Sequence, residues 1–168
     1  MLVTDAGAWV RALLDENPDG PVRARLRREA YVDAPALIDL EFLSAVRGLL
    51  SRKLVSRVAA EESIERFLNA PIDRHAHGPL AWRAWELRAN LTPYDGSYVA
   101  LAEMLGVALL TVDRRLARAP GIRCRIELAW PEARRVALPC WCVTSGSIGA
   151  RGPAPRRRRG RLAFGADF

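Results

Sequence analysis

The sequence predicts an α/β fold, a three-layer sandwich with a central, mostly parallel sheet. Short apolar runs alternate along the chain with longer segments of helical periodicity. Because each parallel crossover needs a helix, this alternation favours a parallel sheet. Two of the apolar runs, L-V-T-D and L-L-T-V-D, end on Asp5 and Asp113. Ligands of such folds bind beyond the carboxyl ends of the strands, which is where both aspartates are expected.

The first half of the chain is predicted to begin with a strand at 2–5 and a helix at 6–16. A turn at 17–20 and a short helix at 21–28 lead to a second strand at 31–35 and a long helix at 36–52. Ser56 is expected to cap a further helix that ends near Leu68. The predicted apolar stripe of the long helix consists of Leu37, Leu40, Leu43, Val46, Leu49 and Leu50.

The second half is predicted to contain a short third strand at 71–73, followed by a loop that carries His75 and His77, away from the carboxyl edge. A helix at 80–89 places Trp82 and Trp85 next to each other, and this helical spacing favours a place in the core or an interface over base-stacking platforms. The last elements are a short helix at 113–118 and a strand at 122–128, whose alternating pattern indicates the edge of the sheet.

The segment from Thr92 to Asp113 organises the prediction. Thr92 is a suitable N-cap, Pro93 suits the first helical position, and Gly106 is a suitable stop before the apolar run 107–112. A helix of about a dozen residues covers about 18 Å, and a strand of five or six residues covers roughly the same distance. If the strand runs antiparallel to the helix, Asp95 and Asp113 reach the same rim.

Four carboxylates are therefore expected at one edge of the sheet, those of Asp5, Glu41, Asp95 and Asp113. Singly, the aspartates are also explained as helix caps and Glu41 as a solvated residue, so the hypothesis depends on their joint placement. Without a cation, two charges 4 Å apart repel by on the order of 4 kcal/mol at an effective dielectric of 20. Oxygen ligands without histidine or cysteine suit Mg²⁺ or Mn²⁺, which can bind phosphate oxygens and activate water.

Four sequence blocks, in order over residues 1 to about 128, resemble the PIN-domain ribonucleases, and most closely the VapC-type toxins of toxin–antitoxin pairs. The blocks are V-T-D-A, P-A-L-I-D-L-E-F-L-S-A-V-R, L-T-P-Y-D-G-S-Y-V-A-L-A-E and L-L-T-V-D-R-R-L. The resemblance implies a metal-dependent endoribonuclease that cleaves RNA, with Asp5, Glu41, Asp95 and Asp113 as its acids. It also implies a homodimer and a small antitoxin that inserts near the active site.

The resemblance extends to one further position and fails at another. Thr111 matches a hydroxyl position near the family's site. Arg114 and Arg115 follow Asp113 directly and could contact RNA phosphates, although plain solvent exposure explains them equally well. Such toxins usually carry Ser or Asn two residues after the first aspartate, where this chain has Gly7. A hydrogen bond that orders the site is therefore expected to be missing.

Composition divides the chain into a nuclease-like domain at 1–130 and a tail at 131–168 rich in Arg, Gly and Pro, which is expected to be disordered. The tail contains eight arginines against two acids, so it carries +6 of the net charge of +7, and the basic excess does not describe the domain. The three cysteines of the chain have no zinc-ligand spacing. No apolar run approaches membrane-spanning length, so a cytoplasmic protein is expected.

Two other classes of function remain as alternatives. A PIN-like module with a silenced site would bind RNA or antitoxin without cleavage, and Gly7 and the tail support that alternative. A phospho-accepting signalling domain also places acids at strand ends but needs a lysine near them. The chain's single lysine, Lys53, is expected at the far end of the long helix, which disfavours this class.

Overall fold

The computed structural model describes residues 1–15, 17 and 19–129, and a five-stranded sheet forms its centre. The order across the sheet is β3-β2-β1-β4-β5, and all four neighbouring pairs are parallel. The strands are β1 (Leu2–Thr4), β2 (Val32–Pro35), β3 (Ile72–His75), β4 (Ala108–Thr111) and β5 (Ile126–Leu128). Because β1 lies between β2 and β4, its carboxyl end opens at the middle of the sheet, where parallel folds place their sites.

Helices cover the sheet as two outer layers, and the predicted three-layer fold class is confirmed. The helices are α1 (Ala6–Leu14), α2 (Pro21–Leu26), α3 (Ile38–Ser51), α4 (Arg57–Leu68), α5 (Gly78–Glu86) and α6 (Pro93–Leu105), with a 3₁₀ turn at Leu116–Arg118. The first four helices pack on one another as one layer, and α5 packs on α6 as the other. Helix α6 also contacts β1, β2 and β4, which brings its first turn to the centre of the sheet.

Three aromatic side chains pack together within the first helical layer, one each from α1, α3 and α4. Phe42 and Phe67 stack with their ring centroids 4.0 Å apart, and Trp9 meets Phe67 edge-on at 5.8 Å. Strands β1 and β4 are buried along their whole length, as their continuous apolar sequences predict. The central strands are therefore held on both sides, which fixes the residues that follow them.

The caps predicted for α6 are confirmed. The Thr92 hydroxyl oxygen accepts the backbone N–H of Asp95 at 3.1 Å, and Gly106 ends the helix with a φ of 66°. That left-handed conformation suits glycine, which has no Cβ to clash. Gly96 allows α5 to approach closely, since a Cβ there would lie 3.1 Å from the Cα of Ala84. The start of α6 is thus fixed both by its cap and by its neighbour.

The predicted apolar stripe of α3 is wrong at Leu40, Leu43 and Leu50, which are exposed. Leu40 is 72% exposed, whereas Ile38 and Phe42 are fully buried. The helix begins at Ile38, and its buried side follows Ile38, Phe42, Val46 and Leu49. Apolar residues occur on more than one side of this helix, so the leucines alone indicated a different buried face. The stacking of Phe42 on Phe67 determines which face is buried.

The predicted position of His75 is also wrong, because β3 is longer than the sequence indicated. The strand continues through His75, which lies opposite Pro35 in the parallel pairing with β2. His75 therefore stands at the carboxyl end of β3 and not in a loop away from that edge. His77 does follow the strand, and its Nε2 accepts the backbone N–H of Leu37 at 3.0 Å.

Trp82 and Trp85 are both exposed on α5, so neither side chain is part of the core. The Arg88 guanidinium lies 4.7 Å from the ring centroid of Trp85. Strand β5 is shorter than predicted but does lie at the sheet edge. The proposed tail, 131–168, lies outside the described residues, so the domain boundary stays a prediction. None of the described helices is long and apolar enough to cross a membrane.

Candidate active site

Asp5 stands between the end of β1 and the start of α1, and both of its carboxylate oxygens are held. Oδ1 accepts the backbone N–H of Ala8 at 2.7 Å, which makes Asp5 the N-cap of α1. Oδ2 accepts the hydroxyl of the buried Thr111, the last residue of β4. The oxygen of that hydroxyl in turn accepts the backbone N–H of Asp113 at 2.9 Å. Thr111 thus links the two aspartates that follow the central strands.

Asp95 and Asp113 face the same open cleft, which has a volume of about 660 Å³. The Thr92 hydroxyl donates to Asp95 Oδ2 at 2.8 Å and so keeps the carboxylate at the start of α6. Asp113 follows β4, and its Oδ1 accepts the backbone N–H of Arg115 at 2.7 Å. The same cleft is lined by three arginines, Arg88, Arg115 and Arg118.

Glu41 reaches the site from the first turn of α3. Its Oε2 accepts the hydroxyl of Tyr98 at 2.6 Å. Tyr98 is buried in α6, three residues after Asp95 and therefore on a neighbouring side of that helix. Tyr98 was not among the predicted site residues, although its spacing from Asp95 was a usable signal. Helices α3 and α6, from opposite layers, thus meet through a phenol–carboxylate hydrogen bond.

The electrostatics of the cluster show that its carboxylates act on one another. Burial raises the pKa of Asp5 to about 6, and the negative charges of Asp113 and Asp95 add to the effect, against the opposing hydrogen bonds from Thr111 and Ala8. Burial raises the pKa of Glu41 to about 7, opposed by the Tyr98 hydrogen bond and increased by the charges of Asp95 and Asp5.

Asp95 has the same kind of environment. Burial raises its pKa, the hydrogen bond from Thr92 opposes the rise, and the charge of Asp113 adds to it. Each of the four predicted carboxylates therefore interacts electrostatically with at least one other at the carboxyl edge of the sheet. Perturbed acids collected in a cleft are a common property of functional sites.

The donor set of this cluster suits a hard divalent cation, because it contains only oxygens. The carboxylates are spread wider than a compact cage: among the described residues, no three of these acids bring ligand atoms all within 4.8 Å of one another. Mg²⁺ tolerates such spacing, since it typically binds proteins through one or two carboxylates and keeps several waters. The residues present therefore fit such an ion.

The two supporting residues predicted from the sequence differ in their positions. Thr111 lies inside the cluster, as its hydrogen bonds to Asp5 and Asp113 show. Arg114 is exposed, and its neighbour Arg115 lines the cleft and lowers the pKa of Asp95. Arg88 and Arg118, which sequence reasoning did not identify, come from α5's C-terminal side and from the 3₁₀ turn.

Gly7, the departure from the expected pattern, lies beside Asp5. A Cβ at Gly7 would be 3.0 Å from Val112 Cγ2 and 3.5 Å from Asp5 Oδ1. A larger side chain would thus have to displace Val112 before it could reach the carboxylate. Because Ala8 and Thr111 already hold both oxygens of Asp5, the ordering of this carboxylate does not depend on a side chain at position 7.

Comparison with known proteins identifies the family of this chain. Residues 2–122 match the model of the PIN domain family. Ribonuclease VapC12 of Mycobacterium tuberculosis is 42% identical over 128 residues, which cover 76% of this chain and 98% of the relative. Ribonuclease VapC1 of the same species is 39% identical over 127 residues, which cover 75% of this chain and 96% of the relative.

A solved structure, that of VapBC2 from Rickettsia felis bound to a DNA fragment from their promoter, has a similar fold. The TM-score is 0.56 at 13% identity, and the match covers 76% of this chain and 97% of the other. At that identity the likeness concerns the fold alone. The family model and the relatives carry the assignment, and they confirm the resemblance noted in the sequence: the chain belongs to the PIN-domain family and, within it, to the VapC-type ribonucleases.

Proposed function

We propose that this chain is a metal-dependent endoribonuclease that acts as the toxin of a toxin–antitoxin pair. Asp5, Glu41, Asp95 and Asp113 hold Mg²⁺ or Mn²⁺ in this proposal. The observation that carries it is the convergence of these carboxylates at one edge of the sheet, where burial first, and then neighbouring negative charges, raise the pKa of Asp5 to about 6 and that of Glu41 to about 7. A protein that keeps such a costly cluster beside a cleft, which Asp95 and Asp113 line, is expected to use it for a cation.

The chain's own residues prepare the site in three ways. Thr111 and the Ala8 N–H orient Asp5, and Tyr98 orients Glu41. Glu41, whose pKa burial raises to about 7, is suited to hold the cation and to orient water beside it. A divalent cation, when bound, neutralises the carboxylates and supplies a Lewis acid for the phosphodiester.

The arginines of the cleft are suited to the RNA backbone. Arg88, Arg115 and Arg118 lie along the same cleft as Asp95 and Asp113. Guanidinium groups bind phosphate oxygens in pairs of hydrogen bonds, and such contacts position a nucleic acid without reading its sequence. We therefore assign these arginines to substrate positioning, with Arg114 as an exposed neighbour that extends the basic rim.

A small cognate antitoxin is the proposed protein partner, and it inserts near the active site. This assignment is supported by the relationship to VapC proteins and by the fold shared with VapBC2, solved together with promoter DNA. A homodimer is part of the same proposal. The acids of the cleft offer such an inhibitor a negatively charged target, so a basic side chain of the antitoxin is expected at this point.

The second candidate, a PIN-fold module with a silenced site, rests on Gly7. The geometry around Asp5 favours the enzyme, since both oxygens of that carboxylate are held without help from position 7. The deciding experiment incubates the purified chain with structured RNA and Mg²⁺ or Mn²⁺, with and without chelator. We expect cleavage that chelation stops and added metal restores. Intact RNA under every divalent ion would establish the silent module instead.

Tyr98→Phe is expected to lower RNA cleavage about tenfold at pH 7. The variant removes the hydrogen bond that holds Glu41 and opposes the rise of its pKa, so Glu41 becomes more protonated at neutral pH. The deficit should shrink as the pH is raised to 8.5, and the pH profile of single-turnover cleavage measures it. Tyr31→Phe, at an exposed tyrosine away from the site, is the matched control. Equal profiles for both variants would contradict a role for Tyr98.

A further inference from the structure

A second group of possible metal ligands lies at the outer strands of the sheet and shares no residue with the acidic cluster. It consists of Asp33 in β2 with Asp73 and His75 in β3. Asp33 and Asp73 lie opposite each other in the parallel pairing, and His75 is two residues further along the same strand. Side chains two apart on a strand point to the same face, so all three converge on one side of the sheet.

Asp73 and His75 lie on the face of β3 that points away from helices α3 and α4. Arg74, between Asp73 and His75, donates to Asp39 of α3 at 2.9 Å, and its guanidinium lies 5.7 Å from the ring centroid of Phe67 in α4. The alternation of the strand therefore directs Asp73 and His75 towards the side of the sheet that α6 covers. The three ligand atoms, one from each residue, all lie within 4.8 Å of one another.

Asp33 supplies the independent sign that a ligand is expected here. Its side chain is only 3% exposed, and its Oδ1 lies 2.8 Å from His75 Nε2. Its Oδ2 is buried and has no hydrogen-bond partner among the residues that the structure describes. The oxygens of a buried carboxylate normally each have a hydrogen-bond partner, or they coordinate a metal. His75 Nε2 also lies 3.9 Å from Asp73 Oδ2, so two carboxyl groups share one imidazole nitrogen.

We propose that Asp33, Asp73 and His75 form a second metal site, which binds a divalent cation of the Zn²⁺ type and joins the edge strand β3 to β2. Imidazole nitrogen with carboxylate oxygen suits Zn²⁺ better than Mg²⁺, so the site differs in ion from the all-oxygen cluster. With bonds of about 2.0–2.2 Å and tetrahedral angles, ligand atoms stand about 3.3 Å apart. The present separation of 2.8 Å between Asp33 Oδ1 and His75 Nε2 needs to open by only about half an ångström to reach that spacing.

The position of Asp73 provides the entry path. Asp73 is 67% exposed, whereas Asp33 closes the inner side of the site. An ion can therefore reach the site from solvent, keep one water on the open side, and use the protein for the other three positions. Coordination would use the lone pair of His75 Nε2, the nitrogen that now faces Asp33 Oδ1.

The test measures zinc binding to the full chain by calorimetry and follows the imidazole NMR signals of the protein's two histidines. The Cys140→Ser/Cys142→Ser variant serves as the background, which removes thiols of the tail as competing ligands. We expect Zn²⁺ to bind, with at least one equivalent that remains in Asp5→Asn/Asp95→Asn, and to change the His75 signals more than those of His77. Asp73→Asn and His75→Gln should each weaken binding at least about tenfold, as loss of a metal ligand does.

Two matched variants separate this site from zinc binding elsewhere on the chain. His77→Gln changes the other histidine and should keep the affinity, as should Asp5→Asn/Asp95→Asn, which dismantles the acidic cluster. Asp73 is exposed, so Asp73→Asn is expected to fold even if a change at the buried Asp33 does not. Unchanged affinity in Asp73→Asn, or loss of binding in Asp5→Asn/Asp95→Asn, would overturn the second site. Absence of zinc binding in the background variant at micromolar concentrations would do so too.

Discussion

Asp95→Asn is expected to lower RNA cleavage by at least about 100-fold and to leave the fold intact. The amide keeps an oxygen that can accept the Thr92 hydroxyl, so the cap at the start of α6 survives. What it loses is the negative charge offered to the cation. A loss of about 3 kcal/mol of transition-state stabilisation corresponds to roughly a hundredfold in rate, a moderate value for a charge at a metal site. Single-turnover cleavage in saturating Mg²⁺ measures the loss.

Asp113→Asn should behave in the same way, because the hydrogen bond from the Arg115 N–H to the side chain at position 113 also needs only an acceptor oxygen. Asp39→Asn is the matched control on α3. Asp39 lies two residues before Glu41 but pairs with Arg74, away from the cleft. It should retain cleavage near the level of the unmodified protein. Wild-type rates in both site variants would reject the proposed ligand set, whereas equal losses in all three would indicate a general effect on folding.

The aspartates of the site could be predicted because each follows from local sequence. Asp5 and Asp113 end apolar runs that become buried central strands, and Asp95 follows a cap and a proline that fix the start of α6. Parallel topology then brings strand ends and helix starts to one edge, with no knowledge of side-chain packing. The strand order itself was not predicted, since it depends on pairings between distant segments.

The wrong predictions for α3 and β3, and the failure to predict Tyr98, concern features that depend on contacts between residues distant in the sequence. The orientation of α3 is decided by Phe42 stacking on Phe67, and the extension of β3 to His75 depends on its pairing with β2. The hydrogen bond from Tyr98 to Glu41 joins residues 57 positions apart. Helical periodicity and turn signals report only neighbours within a few residues, so they cannot identify such partners.

In the absence of divalent ions at pH 8, the free energy of unfolding of Asp5→Asn is expected to exceed that of the unmodified protein by up to about 3 kcal/mol. Burial raises the pKa of Asp5 from 3.8 to about 6, so the folded state holds this proton more tightly than the unfolded chain. The associated stability is fully present below pH 3.8 and is lost as the pH rises through 6. Asparagine carries no charge and caps α1 about as well, so it avoids this loss, less the hydrogen bond that Asp5 Oδ2 accepts from Thr111.

Urea denaturation in chelator, from pH 4 to pH 8, gives the difference in the free energy of unfolding between the two proteins. The difference should be small at pH 4, grow through pH 6 and level off above it. Asp39→Asn, whose carboxylate is paired with Arg74 outside the cluster, should show no such rise. Parallel curves for Asp5→Asn and the unmodified protein would mean that Asp5 is not electrostatically strained.

Added Mg²⁺ then tests whether the destabilisation caused by the Asp5 carboxylate is connected with metal binding. A cation that binds the folded state alone stabilises it in proportion to the logarithm of its concentration above the dissociation constant. If the repulsion among Asp5, Asp95 and Asp113 exists to hold such an ion, Mg²⁺ should recover much of the stability of the unmodified protein at pH 8 and little of that of Asp5→Asn. The carboxylate that destabilises the metal-free fold would then be the one that the metal requires, which is the usual relation between stability and activity at a charged site.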